Sequence, residues 1–136
     1  MSEPATETLS VTAERQIPFP PGKIWTALTQ PHLIEEWLMK NDFTPVVGRR
    51  FNLRADWGVV ECQVQAVEPN KTLCYSWDAY DLKSIVTWTL TPSSTGTYLR
   101  MEQSGFRPDQ RQYFEGAKAG WRRFFSALEQ VVARLD

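Results

Sequence analysis

Histidine is almost absent from this chain, and cysteine is scarce: one His, His32, and two Cys, Cys62 and Cys74, stand among 136 residues. So few nitrogen and sulfur ligands cannot complete a structural zinc site. Two cysteines make no disulfide framework either, and a reducing cytoplasm is the expected setting. A Ser-His-Asp or Cys-His device would need His32 beside a nucleophile, and no spacing brings it there. The acidic residues Glu14, Glu61, Glu68, Asp78, Asp81 and Glu102 fall on polar strand positions or in turns, so no buried carboxylate pair is expected for acid–base work. Neither GxGxxG nor GxxxxGK[ST] occurs among the glycines. No apolar run approaches the roughly 20 residues that cross a bilayer, and the opening MSEPATETLS has no hydrophobic stretch, so no membrane span or secretory signal is expected. Net charge is also missing: 15 Lys+Arg against 16 Asp+Glu leave −1, too little for a broad grip on nucleic acid or an anionic membrane. Aromatics, by contrast, are plentiful, with 6 Trp, 7 Phe and 4 Tyr. One domain is expected at this length, and its rings must fill a core or line a pocket.

Residues 1–7 are polar and read as a disordered tail ahead of a single domain over 8–136. Leu9, Val11, Ala13 and Ile17 alternate with polar neighbours, the pattern of a half-buried strand. Pro18, Pro20 and Pro21 end it and open a helix carrying Ile24, Trp25, Ala27 and Leu28. Gln30-Pro31 breaks that helix, and Leu33, Ile34, Trp37 and Leu38 form the apolar face of a second. After a connector at 45–48 the period becomes two, giving five strands joined by short turns, with a loop at 92–96. A turn at 68–71 would pair Ala66 with Leu73, Val64 with Tyr75 and Cys62 with Trp77, apolar on apolar. That register sends Cys74, opposite Gln65, to the face away from Cys62.

The last element is a long helix over 109–135. Asp109 with Gln112 three residues later reads as its N-terminal capping signature. Apolar positions 114, 117, 121, 124, 128, 131 and 135 then form one stripe that needs a long surface to lie on. Arg122 and Arg123, beside Trp121, Phe124 and Phe125, could suggest nucleic acid, but the rings keep the helical stripe and the arginines are its solvated flank. The order β-αα-βββββ-α gives an α+β, helix-grip fold, a curved antiparallel sheet wrapped around the C-terminal helix.

Within that order stand Ile24-Trp25-Thr26-Ala27-Leu28-Thr29 with Pro31, then Trp37, Gly48, Phe51, Pro69, Leu73, Tyr75 and Trp77. Gly96-Thr97, Ser104-Gly105-Phe106, Gly120-Trp121 and Leu128 follow. Through these residues the chain, over about 9–132, resembles the START-like (SRPBCC) superfamily, and within it the C-terminal domain of the activator of heat-shock protein 90 ATPase. Two departures stand out: Gln30 replaces an acidic residue before the Pro, and Gln103 replaces the His many members have before Ser-Gly-Phe. The resemblance implies an apolar pocket, and also a link to a chaperone partner and to stress response.

The inward parity collects Phe51, Cys62, Tyr75, Trp77, Trp88, Met101 and Gln103 from the sheet, with Phe106 at the approach to the helix. The helix adds Tyr113, Gly116, Ala117, Gly120 and Trp121. Gly116 and Gly120 cost about 1 kcal/mol each against Ala and remove volume over one end of the sheet. That end, with the polar atoms of Tyr75 and Gln103, is the expected ligand cavity. The end near Phe124, Leu128 and Val131 is expected to be solid. The leading function is non-enzymatic binding of a hydrophobic, aromatic or polyketide-like small molecule, without cofactor or metal, by a monomer or homodimer. Two alternatives accompany it: a chaperone-associated interaction module, and a cyclase-, dehydratase- or hydrolase-like enzyme.

Overall fold

A computed structural model describes residues 8–135; the tail expected at 1–7 and Asp136 lie outside them. Strand β1 (Leu9–Ile17) is followed by helices α1 (Pro21–Thr29) and α2 (Pro31–Trp37). Then come β2 (Lys40–Asn41), β3 (Arg50–Ala55), β4 (Gly58–Glu68), β5 (Thr72–Ala79), β6 (Leu82–Ser93) and β7 (Gly96–Phe106). Helix α3 (Arg111–Arg134) ends the chain. All strands join one curved antiparallel sheet in the order β1-β7-β6-β5-β4-β3-β2, the helix-grip arrangement. The two-residue β2 pairs Lys40 with Arg54 and Asn41 with Leu53, and it has no alternation long enough to read from sequence.

The proline pairs set the helix starts. Pro21 and Pro31 sit in first turns, where a missing N–H costs nothing. Both helices bury one face: Ile24, Ala27 and Leu28 from α1, Leu33, Ile34 and Trp37 from α2. Trp37 Nε1 donates to Ala27 O at 2.9 Å, which ties the two together.

Three local expectations are corrected. Val64 faces Tyr75 as expected, but beyond it Ala66 faces Cys74 and Val67 faces Leu73, because a bulge shifts the register between Val64 and Ala66. The cause is a three-residue turn at 69–71, with Asn70 left-handed at φ 66°, where a symmetric turn would have kept the simple register. Leu73 therefore packs with Val67, and Ala66 is only half-buried. Cys62 still points inward and Cys74 outward, where its Sγ lies 3.8 Å from Gln65 Oε1. The 92–96 loop shrinks to a tight turn, since Pro92 pairs with Thr97 inside the β6–β7 ladder.

The third correction is the start of α3. Asp109 does not cap it: the N-cap is Gln110, with no side-chain cap hydrogen bond. Asp109 instead accepts from Arg107 Nε at 3.1 Å, and the Gln110 amide bridges Arg107 N and Asp81 O. The nearby cation and an open backbone carbonyl outcompete the capping geometry.

Helix α3 crosses the concave face against β1, β7, α1 and α2. Its buried line runs Gly120, Trp121, Phe125, Leu128, Val131 and Val132, so Phe125 rather than Phe124 enters the core. Phe125 stacks on Trp88 (5.6 Å between centroids, 24°), and Trp37 meets the same indole edge-on at 5.7 Å. The C-terminal half of α3 is thus packed solid against the two short helices and the sheet.

Candidate functional site

The N-terminal half of α3 leaves a gap. A cavity of about 320 Å³ lies between it, the inner ends of β5–β7 and the tips of two hairpins. That volume is at the lower end of small-molecule sites. A larger surface groove, about 570 Å³, runs beside Pro21 and the 69–71 turn. It lies in the open among turn and strand-edge residues, and no aromatic ring lines it.

Of the thirteen residues expected at a site, seven line the cavity: Trp77, Gln103, Tyr113, Gly116, Ala117, Gly120 and Trp121. The other six, Phe51, Cys62, Tyr75, Trp88, Met101 and Phe106, are placed in the packed core instead. Sheet parity shows which face a side chain takes but not how far along the face the gap extends. Tyr75 is the clearest case. Its ring meets Phe43 and Phe51 edge-on, and its hydroxyl accepts from Trp88 Nε1 at 3.1 Å, so it is not presented to a guest. Burial pushes its phenol well above the ordinary value, against the Trp88 N–H, which favours the phenolate.

Phe124, expected in the solid end, lines the cavity and packs edge-on against Trp121 at 5.3 Å. The sequence reading also leaves out Met39, Ala79, Leu82, Gln112, Arg123, Trp57 and Tyr80. The last two stand on turns, where alternation says nothing. The one sequence signal for them was large aromatics in tight turns, where packing does not call for them.

The floor is a closed polar chain. Gln103, 1% exposed, accepts from Trp121 Nε1 at 2.7 Å and donates through Nε2 to Ser84 Oγ at 3.0 Å. Ser84 in turn donates to Trp77 O at 2.7 Å. The neutral amide at 103 thus cross-links α3, β6 and β7. A bulge helps to set it there: Gly105, at φ +111°, is skipped in the β1–β7 register. A Cβ on Gly105 would lie 2.7 Å from Lys83 O, so no other residue allows β7 to approach β6 this way.

The rim is a clasp of three segments. Tyr80, left-handed at φ 57° in the β5–β6 turn, donates its hydroxyl to Trp57 O in the β3–β4 turn at 2.6 Å. Their rings lie 6.2 Å apart, and both are well exposed, 51% for Trp57 and 70% for Tyr80. Gly58 permits the contact, because a Cβ there would fall 2.8 Å from the Tyr80 hydroxyl oxygen. Across the mouth, Tyr113 donates to Asp81 Oδ1 at 2.7 Å. That bond lowers the Asp81 carboxyl and raises the Tyr113 phenol.

Chemically the lining supplies aromatic faces, amides, indoles, two phenols and one guanidinium, with no carboxylate, thiol or imidazole. Among the described residues no three of His, Cys, Asp and Glu gather as metal ligands. No helix among the described residues is long and apolar enough to cross a membrane.

A crystal structure of protein MLL2253 from Mesorhizobium loti is similar over 94% of this chain and 99% of its own, at 64% identity and a TM-score of 0.91. The solution structure of BH1534 from Bacillus halodurans is similar at 26% identity and a TM-score of 0.82, over 91% of this chain and 96% of its own. DynU16, of the dynemicin biosynthetic locus, shares the fold at 24% identity and a TM-score of 0.79, over 93% of this chain and 47% of its own. A search of the curated proteins finds no match. The family model described as Activator of Hsp90 ATPase homolog 1-like protein matches residues 18–133, from the start of the helical pair to the end of α3. The chain belongs to the family of Activator of Hsp90 ATPase homolog 1-like proteins, on an SRPBCC-type helix-grip fold.

Proposed function

We propose that the protein binds a flat, hydrophobic small molecule, aromatic or polyketide-like, in the cavity under the first half of α3, without transforming it. One observation carries this reading: a ring-walled space of about 320 Å³ between the sheet and the first half of α3. Interiors close such gaps when side chains are available. Here glycines at 116 and 120 keep the gap open, since a Cβ at 116 would meet nothing and one at 120 only the Phe124 ring at 3.7 Å. The absence of a carboxylate, thiol or imidazole from the lining favours binding over acid–base chemistry. The likeness of fold to a protein of the dynemicin biosynthetic locus is consistent with a biosynthetic ligand.

The test is a thermal-shift screen of planar aromatic and polyketide-like compounds on wild type and Gly120→Leu, which fills the cavity. A ligand at a hundredfold excess over its Kd stabilises the fold by about 2.7 kcal/mol. Wild type is therefore expected to gain several degrees in Tm, while the filled variant stays folded and gains none. Equal gains in both would put the binding elsewhere. The family's description as an activator of the Hsp90 ATPase supports a second reading, contact with a chaperone. Co-purification with the chaperone, unaffected by Gly120→Leu and without small-molecule hits, would favour it.

A further inference from the structure

The cavity wall carries one charge, and it is positive. Arg123 lines the mouth, is exposed, and has no ion pair or hydrogen bond among the described residues. Arg15, Arg100, Arg107 and Arg134 meet carboxylates; of the arginines that do not, Arg123 alone lines this cavity. Helical side chains lean toward the N-terminus of their helix. Arg123 therefore leans toward Gly120, three residues back, and Gly116, seven back; a Cβ at 116 would meet nothing within 4 Å, and one at 120 only the Phe124 ring. Asp81, which the lining residue Tyr113 contacts, already accepts from that phenol and lies 3.8 Å from Arg107. No free anion is left there for a cationic guest.

A second, independent observation lies deeper. Four indoles are buried, Trp37, Trp77, Trp88 and Trp121, and three of them donate: Trp37 to Ala27 O, Trp88 to Tyr75, Trp121 to Gln103. Trp77, only 7% exposed, has no partner for its N–H among the described residues. No side-chain nitrogen or oxygen sealed from solvent lacks a partner there either. The Trp77 N–H must therefore open onto space, and the space this side chain borders is the cavity. A donor held in an apolar wall without a partner is a place for an acceptor oxygen.

Building on the pocket reading above, we infer that the ligand is an aromatic carboxylic acid bound as its anion. The carboxylate meets the Arg123 guanidinium at the mouth, and an oxygen on the ring system accepts from Trp77 Nε1 inside. Arg123 is then the residue that selects acids over neutral molecules of the same shape. Exposure screens the contact, which limits its effect to about tenfold in affinity at low salt.

Two matched probes test this, 6-hydroxy-2-naphthoate and 6-hydroxy-2-naphthamide, titrated by tryptophan fluorescence. Wild type is expected to bind the acid about tenfold more tightly than the amide, and added salt should shrink the difference. Arg123→Gln should bind both with the amide's affinity, while Arg122→Gln, next in the chain but outside the cavity, should keep the preference. Trp77→Phe should weaken both probes alike; an unchanged affinity there overturns the inner contact. Equal binding of acid and amide by wild type, or a preference that survives Arg123→Gln, overturns the acid specificity and leaves the pocket reading intact. Binding of neither probe, or equal binding by Gly120→Leu, overturns the pocket reading and this inference with it.

Discussion

Gln103 shows how much one side chain can decide in an apolar interior. Its amide is held at both ends, by Trp121 Nε1 at 2.7 Å and by Ser84 at 3.0 Å, with the residue 1% exposed. Replacing it with Leu keeps the volume but leaves the Trp121 N–H buried without an acceptor, which costs about 1–3 kcal/mol. Trp121→Phe removes the stranded donor, so the double variant Gln103→Leu/Trp121→Phe should cost less than the two single changes added together. Urea midpoints of the four proteins give the coupling directly, and a coupling of zero would mean the bond is worth nothing in solution. The inward position of Gln103 was legible from alternation along β7. Its partners were not, since Ser84 and Trp121 lie 19 and 18 residues away on other elements. Tyr75 failed for the same reason: its parity was right, but Trp88 claims its hydroxyl.

At the scale of the element, α3 is two helices in one. Its C-terminal half is built for packing, and its N-terminal half carries glycine where alanine would serve the helix better. Neither Gly116 nor Gly120 has a positive φ, and an added Cβ would meet nothing at 116 and only an ordinary contact at 120. Gly116→Ala and Gly120→Ala should therefore each stabilise the protein by about 0.5–1 kcal/mol, through helix propensity alone. Gly120→Ala, whose methyl enters the cavity, should at the same time weaken ligand binding. Thermal melts and ligand titrations on both variants check this, and a loss of stability in either would mean that the backbone needs the glycine. The long period-3.6 stripe made this helix easy to read, yet it ran through Phe124, whereas the buried ring is Phe125, four residues from Trp121 and three from Leu128. Trp88 settles the choice by stacking with Phe125, which turns Phe124 toward the gap. The bulge in β4 escaped the pairing arithmetic because the turn that causes it is asymmetric, with Asn70 left-handed. Capping by Asp109 looked secure from spacing, but Arg107 takes its carboxylate.

For the whole molecule, curvature brings together what the sequence keeps apart. Trp57 and Tyr80 sit on turns 23 residues from one another, and only the curled sheet brings one hydroxyl onto the other's carbonyl. The element order was enough to read the fold, whereas the cavity rim was not legible. The same closed core makes a prediction about alkali. Cys62 and Tyr75 are both buried weak acids. Burial pushes the Cys62 thiol well above its ordinary value of 9.0, with the charges of Asp78, Asp42 and Glu61 adding to the effect. The Tyr75 phenol is likewise raised above its ordinary 10.0. Below about pH 9 both groups are protonated, folded or unfolded, and they make no pH dependence. Above it the unfolded chain loses the Cys62 proton while the folded chain keeps it, so the unfolded state binds fewer protons and stability falls with rising pH. Tyr75 adds a second loss above about pH 10. Each group contributes a slope of up to about 1.4 kcal/mol per pH unit once its unfolded form titrates. By pH 10.5 the Cys62 share is about 2 kcal/mol. Cys62→Ala removes that share, since alanine has no proton to release. Urea midpoints at pH 8 and pH 10.5 should then differ by about 2 kcal/mol less in Cys62→Ala than in wild type. Equal differences in the two proteins would mean that the thiol ionises as easily in the fold as in the open chain.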